Sequence, residues 1–293
     1  MHSIAGSSDH RRVAAAAFGL GVGLWAGAIE PRLLFVRRVG LELPGWPQAL
    51  RGLRAAVVGD LHVGAPHVGM ERLARVVERV NAAAPEVVFL LGDYVTGRIA
   101  GARAVEPGAI AAHLAALRAP LGVYAVLGNN DDARVERALR SAGLRVLEND
   151  VAWVRRGGVA LAIAGVGEVR RGNPDLGAVL RALPEQAAAI LLTHSPDLFP
   201  AVPGSIALTI AGHTHGGQLN IPLLRRALVP SLFGARYRAG HIIEHGRHLY
   251  VTRGVGTSLL PVRLGAPPEI ALLTLGLGPI PEGRWRGSRG GLS

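Results

Sequence analysis

Seven residues between Asp60 and His215 are of types that hold divalent metal ions. Asp60, His62, Asp93, Asn129, His194, His213 and His215 together offer two carboxylates, one amide oxygen and four imidazoles. Seven ligands are too many for one tetrahedral ion. They suit two ions sharing a carboxylate, about 3.5–4 Å apart, as in two-metal hydrolases, where the ions polarise a phosphoryl oxygen and lower the pKa of water. A donor set rich in imidazole favours Mn, Fe, Zn or Co over the oxygen-ligated Mg or Ca, and manganese is the first expectation. Thiolate zinc chemistry is excluded, because the chain has no cysteine.

The groups share one context. Each follows a short run of Val, Leu, Ile or Ala: residues 53–58 before Asp60 and His62, 87–91 before Asp93, 123–127 before Asn129, 189–192 before His194, and 206–211 before His213 and His215. Such runs read as strands buried on both faces. Sheets of this kind carry function in the loops beyond their strand ends, which the scaffold holds rigid. One Asp or His at a strand end is an ordinary cap or turn residue; five in succession point to a common cleft. Glycines at 59, 92, 128, 212, 216 and 217 let backbone approach whatever occupies it.

The groups Asp60-x-His62, Gly92-Asp93, Gly128-Asn129-x-Asp131, His194 and Gly212-His213-x-His215 resemble, in order and spacing, the motifs of the calcineurin-like metallophosphoesterases. The resemblance covers roughly residues 40–275. It implies a four-layer α/β/β/α sandwich, with Asp60, His62 and His215 at one metal, Asn129, His194 and His213 at the other, and Asp93 bridging them. The continuation Gly216-Gly217-Gln218, the phrase Glu30-Pro31-Arg32-Leu33-Leu34 and residues 263–270 are similar to a membrane-associated bacterial branch. That branch includes exported phosphodiesterases and hydrolases of UDP-2,3-diacylglucosamine, a lipid A precursor.

The chain departs from the pattern at Asn130, where the family usually has a histidine that contacts the phosphate and protonates the leaving oxygen. Asparagine has no acidic proton to give, although its amide can hydrogen-bond a phosphate oxygen. General acid catalysis is worth about 10²–10⁴-fold, so a poor alkoxide leaving group should suffer more than the phosphate of a pyrophosphate. Asn130 and Asp131 are accordingly the expected catalytic pair, with Asn130 orienting the phosphate. His67 and Arg253 are candidate substrate contacts, against the plainer readings of a solvated loop histidine and an arginine paired with an acid. His113 reads as helix surface, and His241, His245 and His248 flank a hairpin.

The formal net charge is +11, and all of the basic residues are arginine. They are scattered rather than gathered in a block, and aromatics make up only 4% of the chain, which leaves few stacking platforms. Nucleic acid is therefore a poor fit as a partner, and an anionic lipid surface a better one. Residues 13–29 carry no charge and lie between Arg11-Arg12 and Glu30, a length at the short end for a spanning helix. A retained anchor is favoured over a signal peptide cleaved near Ala26-Gly27-Ala28, with the membrane face undetermined. The expected organisation is an N-terminal anchor or signal over 1–30, a linker and entry over 31–50, the catalytic domain over 51–276, and a disordered basic tail over 277–293. Helices are expected over 70–83 and 132–142, the second capped by Asp131 or Asp132, with a hairpin turning at residues 155–158.

These readings converge on a membrane-associated dinuclear phosphohydrolase acting on a phosphodiester or pyrophosphate, with a lipid-linked nucleotide sugar as the expected substrate. The alternative is a metal-binding module without turnover that binds phospholipid or a partner protein; Asn130 motivates it.

Overall fold

Alternation along the strands decides the layers. Strand β2 (Leu53–Val58) sends Ala55 and Val57 into one apolar cluster and Ala56 and Val58 into another. Strand β3 (Val87–Leu90) divides Val87 and Phe89 from Val88 and Leu90 in the same way. A strand apolar on both faces must be covered on both, so sheets of such strands are sandwiched. The computed structural model, which describes residues 5–97, 99–169, 174–221 and 229–277, shows how.

The first sheet has six strands in the order β1-β12-β2-β3-β4-β5, where β1 is Phe35–Leu41, β4 Val123–Ala125, β5 Arg145–Val146 and β12 Glu269–Leu275. All neighbours are parallel except β12 against β2. The second sheet runs β10-β11-β9-β8-β7-β6, with β6 Asp150–Arg156, β7 Val159–Gly165, β8 Ala188–Leu192, β9 Leu208–Ala211, β10 Gly240–Glu244 and β11 Arg247–Val251. Its edges are antiparallel hairpins and its centre is parallel.

Phe89, Ile163, Ile190 and Ile210 fill the space between the sheets. Helices α2 (Met70–Ala82), α3 (Pro107–Leu114) and α4 (Ala133–Ser141) cover the outer face of the first sheet. Helix α5 (Leu176–Arg181) and the 3-10 turn Pro196–Ala201 cover the second. The result is the expected α/β/β/α sandwich.

Local signals account for the elements. Helix α2 buries Leu73, Val76, Val77 and Val80, one face of the 3.6-residue period, each worth about 1.5–3 kcal/mol of burial. Of the two proposed caps, Asp132 does the work: its carboxylate accepts from the Arg134 and Val135 amides at the start of α4. The hairpin turn is shorter than expected. Only Gly157 and Gly158 leave the ladder, both at positive φ, while Arg155 and Arg156 continue β6. Strands β3 and β4 end before their apolar runs do, because the last residues before Asp93 and Asn129 already belong to the loop, and β9 begins two residues into its run.

Helix α1 (Ala5–Leu24) continues through a π-helical turn, Trp25–Ile29, and a 3-10 turn, Glu30–Arg32. Within it, His10–Arg32 has mean hydropathy 1.6 and is long and apolar enough to cross a membrane, with only 11% of its most apolar window buried. The expected boundary at residue 30 cuts through packed structure. Glu30 is buried, and its carboxylate accepts from the amides of Gly265 and Ala266 and from the Trp25 indole. Strand β1 lies inside the segment expected as linker and entry, and Arg72 of α2 donates to the carbonyls of Arg32 and Leu33 just before it. The expected tail lies outside the described residues beyond Leu277.

Candidate metal centre

The parallel strands β2, β3 and β4 of one sheet and β8 and β9 of the other end at the same edge of the sandwich. Cross-links between their loops fix the relative heights. The Asp60 amide donates to Gly92 O at 3.0 Å, His62 N to Asp93 O at 2.8 Å, and Gly212 N to His194 O at 2.9 Å. Strain marks the place. Ten non-glycine residues have positive φ among the described residues, and five of them are Asp60, His62, Asp93, His213 and His215. Such backbone costs about 1–3 kcal/mol per residue and persists where surroundings over-determine it. The glycines are needed for approach: a Cβ at Gly128 would sit 2.3 Å from Asp93 Oδ1, and one at Gly254 2.7 Å from Asp60 Oδ2.

Two triads result, Asp60-His62-His215 and Asp93-His194-His213, all buried, with ligand atoms in each within 4.8 Å of one another. The His62 and His215 Nε2 atoms face each other at 3.1 Å, and His213 Nδ1 faces His194 Nε2 at 3.0 Å. Asn129 Oδ1 lies 3.2 Å from the same His194 nitrogen. Asp93 Oδ2 stands between the triads, 3.4 Å from His62 Nε2 and 3.5 Å from His194 Nε2. His194 Nδ1 donates to Leu91 O at 2.7 Å, which leaves Nε2 as an acceptor directed into the centre, the usual arrangement behind a ligating imidazole.

The electrostatics agree with a cation-binding pair of subsites. Burial pushes the Asp60 carboxyl up to about 7, against the partial relief given by His194. Burial would also raise Asp93, but His194 and His62 outweigh it and hold it below the ordinary value. Burial lowers His62, and burial with the neighbouring His62 and Arg263 takes His215 well below the ordinary value, which favours the uncharged, lone-pair form of both imidazoles. Paired imidazole nitrogens at 3 Å beside buried carboxylates are a poor arrangement without a cation and a good one with it. The donor set therefore fits two divalent ions.

The other expected site residues fall differently. Asn130 donates its backbone N–H to Asp93 Oδ1 and its amide to Asp93 Oδ2, both at 2.8 Å, so its side chain serves the Asp93 carboxylate and not the open cleft. Asp131 is not placed for chemistry. Its oxygens accept from the amides of Asp93, Tyr94 and Gly128 at 2.7–2.9 Å and from that of Val95 at 3.4 Å, tying two ligand loops together. His67 donates Nε2–H to the Pro261 carbonyl at 2.9 Å and does not line the cleft. Arg253 lies 3.8 Å from Glu269 and packs its stem against Gly216, the plainer of its two readings.

A cavity of about 370 Å³ opens over the centre, lined by Asp93, Asn129, Asn130, His213 and His215 together with Thr257. The buried Thr257 hydroxyl has no hydrogen-bond partner. Sequence reading missed it, since nothing distinguishes one threonine of a Gly-rich loop from another. It also missed the role of Arg263, which is fully buried and donates to the carbonyls of Gly256, Ala266, Arg253 and His215, behind the first triad.

Comparison with known proteins agrees with this geometry. The calcineurin-like phosphoesterase family model matches residues 53–217, more than half of the chain. The phosphodiesterase YaeI of Escherichia coli is 31% identical over 200 residues, 65% of this chain and 70% of that one. The UDP-2,3-diacylglucosamine pyrophosphatase LpxG of Chlamydia trachomatis is 26% identical over 316 aligned positions, 85% of this chain and 92% of that one. A transmembrane protein with metallophosphoesterase domain from Danio rerio is 31% identical over 258 residues, 81% of this chain but only 56% of its own length. The chain belongs to the calcineurin-like phosphoesterase family and is a metallophosphoesterase-type hydrolase.

Proposed function

We infer that this hydrolase uses two divalent ions, manganese first among them, to cleave a pyrophosphate or an activated phosphodiester in a lipid-linked molecule such as UDP-2,3-diacylglucosamine. Asp60, His62 and His215 would hold one ion, Asn129, His194 and His213 the other, and Asp93 both. Bound there, the ions would polarise the phosphoryl group and lower the pKa of water. The observation that carries the reading is the position of Asp93 Oδ2, nearly equidistant from imidazoles of both triads.

The chain's own residues set the rest. Asn130 donates to both Asp93 oxygens, in its side chain and its backbone, so it orients the bridging carboxylate rather than the phosphate. Thr257 lies in the cavity wall with its hydroxyl buried and unpartnered. Among the described residues no carboxylic acid other than Asp93 lines the cavity, and an amide cannot protonate a leaving group. That favours bonds whose leaving oxygen departs as phosphate or aryloxide. The apolar helix His10–Arg32, and the membrane setting named for the zebrafish relative, support tethering to a membrane.

Leaving-group dependence tests the reading. Manganese-loaded enzyme should hydrolyse UDP-2,3-diacylglucosamine and an aryl diester, and fall behind by about 10²-fold or more on a dialkyl diester. Equal rates on aryl and alkyl diesters would contradict it, because they would require an acid in the site.

A further inference from the structure

The loop over residues 258–262 forms one wall of the metal cleft, and it is apolar where it should not be. Leu259 is 75% exposed and Leu260 53% exposed. Leu259 also sits at φ +61°, inside a three-residue turn closed by Leu260 N–H donating to Ser258 O at 2.7 Å. A leucine in the left-handed region is a rare and strained choice, which persists only where the surroundings impose it. Here the strain holds an apolar side chain out into solvent.

The imposition is visible. Gln218, which directly follows the ligand-bearing turn, donates its amide to the carbonyls of Ser258 and Leu260 at 2.9 Å each and accepts from Ser258 N–H at 2.9 Å. His67 clamps the next carbonyl, Pro261. Arg263, fully buried, fixes the end of the loop, and its backbone N–H donates to Ala26 O at 2.9 Å. Ala26 belongs to the apolar helical segment His10–Arg32, and the Val262 side chain lies against Gly27 of the same segment. The exposed leucines are therefore held three residues from a contact with the segment long and apolar enough to span a bilayer.

We propose that residues 258–262 are a membrane-docking wedge: Leu259 and Leu260 enter the lipid surface beside the N-terminal helix and place the mouth of the metal cleft at the lipid–water boundary. The wedge stands on the membrane tether inferred above. Continuity with the helix picks the bilayer as occupant over a second protein surface. The wedge also shapes what can enter. Ser258 and Leu259 line the metal cavity, and Ser258, Leu259 and Leu260 line an adjoining cavity of about 280 Å³ with Leu219 and Val229. A substrate with its phosphate at the metals thus has an apolar wall continuous with the membrane beside it, which suits an amphiphile drawn from the bilayer without leaving it.

The native chain has no cysteine, so single labels report cleanly. Full-length Leu259→Cys and Leu260→Cys variants, and controls Leu20→Cys on the helix and Arg137→Cys on exposed α4, would carry an environment-sensitive fluorophore. Each would be reconstituted into phosphatidylglycerol–phosphatidylcholine vesicles containing a lipid spin-labelled high on its acyl chain. The wedge predicts quenching at 259 and 260 comparable to that at 20 and severalfold stronger than at 137. Quenching at 20 alone overturns the wedge and leaves a tethered enzyme whose mouth faces water. Quenching at none of the four overturns wedge and tether together, and burial of the 259 label by self-association in lipid-free detergent assigns the surface to a second copy instead. None of these readouts needs turnover, so quenching at 259 and 260 beside an unlabelled native protein that fails to cleave UDP-2,3-diacylglucosamine would overturn the proposed substrate and not the wedge.

Discussion

Asp131 shows how a residue beside the site can matter without touching substrate. Four backbone amides converge on its buried carboxylate. Each donor orphaned in the interior costs about 1–3 kcal/mol, so Asp131→Ala should lower unfolding free energy by several kcal/mol, read as a lower denaturant midpoint. Asp131→Asn keeps one good acceptor and should fall between. Asn130 donates to the Asp93 carboxylate, the proposed bridge, and an outer partner of a ligand is typically worth about 10–100-fold in metal affinity or activity. Asn130→Ala should weaken metal binding by that order in titration calorimetry, whereas Thr257→Val, which replaces a buried hydroxyl that has no partner by a methyl group, should leave metal affinity alone and keep or raise the denaturant midpoint. The Asp60 carboxyl supplies a pH dependence. Its folded value of about 7 stands above the ordinary 3.8, so between those values the metal-free fold binds more protons than the unfolded chain. The contribution of Asp60 to the stability of the metal-free protein therefore falls as pH rises through that window, and metal affinity, which needs the carboxylate, should rise. Affinity flat between pH 5.5 and 7.5 would contradict this.

At the level of elements, the β10–β11 hairpin carries a second and separate titration. His241 Nε2 lies 3.0 Å from His248 Nδ1, and burial together with His248 takes His241 down to about 4. Burial lowers His248 as well. A histidine depressed below its unfolded value of 6.5 stabilises the fold above that pH and loses the contribution as pH falls towards 4. This contribution is opposite in sign to that of Asp60, so the His241→Phe variant should lose less melting temperature, or gain more, than the native protein as pH falls from 6.5 to 4. These histidines were readable as hairpin residues from their flanking pattern, but the pairing was not, because cross-strand register depends on the turn being His245-Gly246. The candidate ligands were legible for the opposite reason: each follows an apolar run, and the strand geometry sends all five loops to one edge. What the sequence concealed is what closes around them. Asp131 looked like a partner of the missing histidine, and only the folded loops show it saturated by amides. Gln218 looked like a motif ending, and only the fold shows which loop it clamps.

Across the whole molecule, the N-terminal helix and the metal centre share a foundation. Glu30 caps the Gly265 and Ala266 amides, Arg263 spans from the Ala26 carbonyl to the back of His215, and Arg72 grips the backbone between. A domain boundary drawn from hydropathy alone cannot show this, since Glu30 reads as the charged flank of an apolar helix. The consequence is testable by truncation. A chain beginning at Ile29 keeps the cap, and one beginning at Pro31 leaves the buried Ala266 amide without an acceptor, at about 1–3 kcal/mol, and removes the partner of the more exposed Gly265 amide. The shorter chain should melt several degrees lower; identical melting would show that the cap is dispensable.

The claim at the centre of this account is that two metal triads joined by Asp93 make one hydrolytic site. Its most direct test is to strip the full-length protein of metal, reload it with Mn²⁺, count bound ions, and follow hydrolysis of an activated aryl phosphodiester in native and Asp93→Ala protein. That substrate needs no leaving-group acid, so Asn130 cannot mask a working centre. The account predicts two ions per chain and metal-dependent turnover that Asp93→Ala abolishes. Two bound ions without turnover, or turnover indifferent to Asp93, would contradict it.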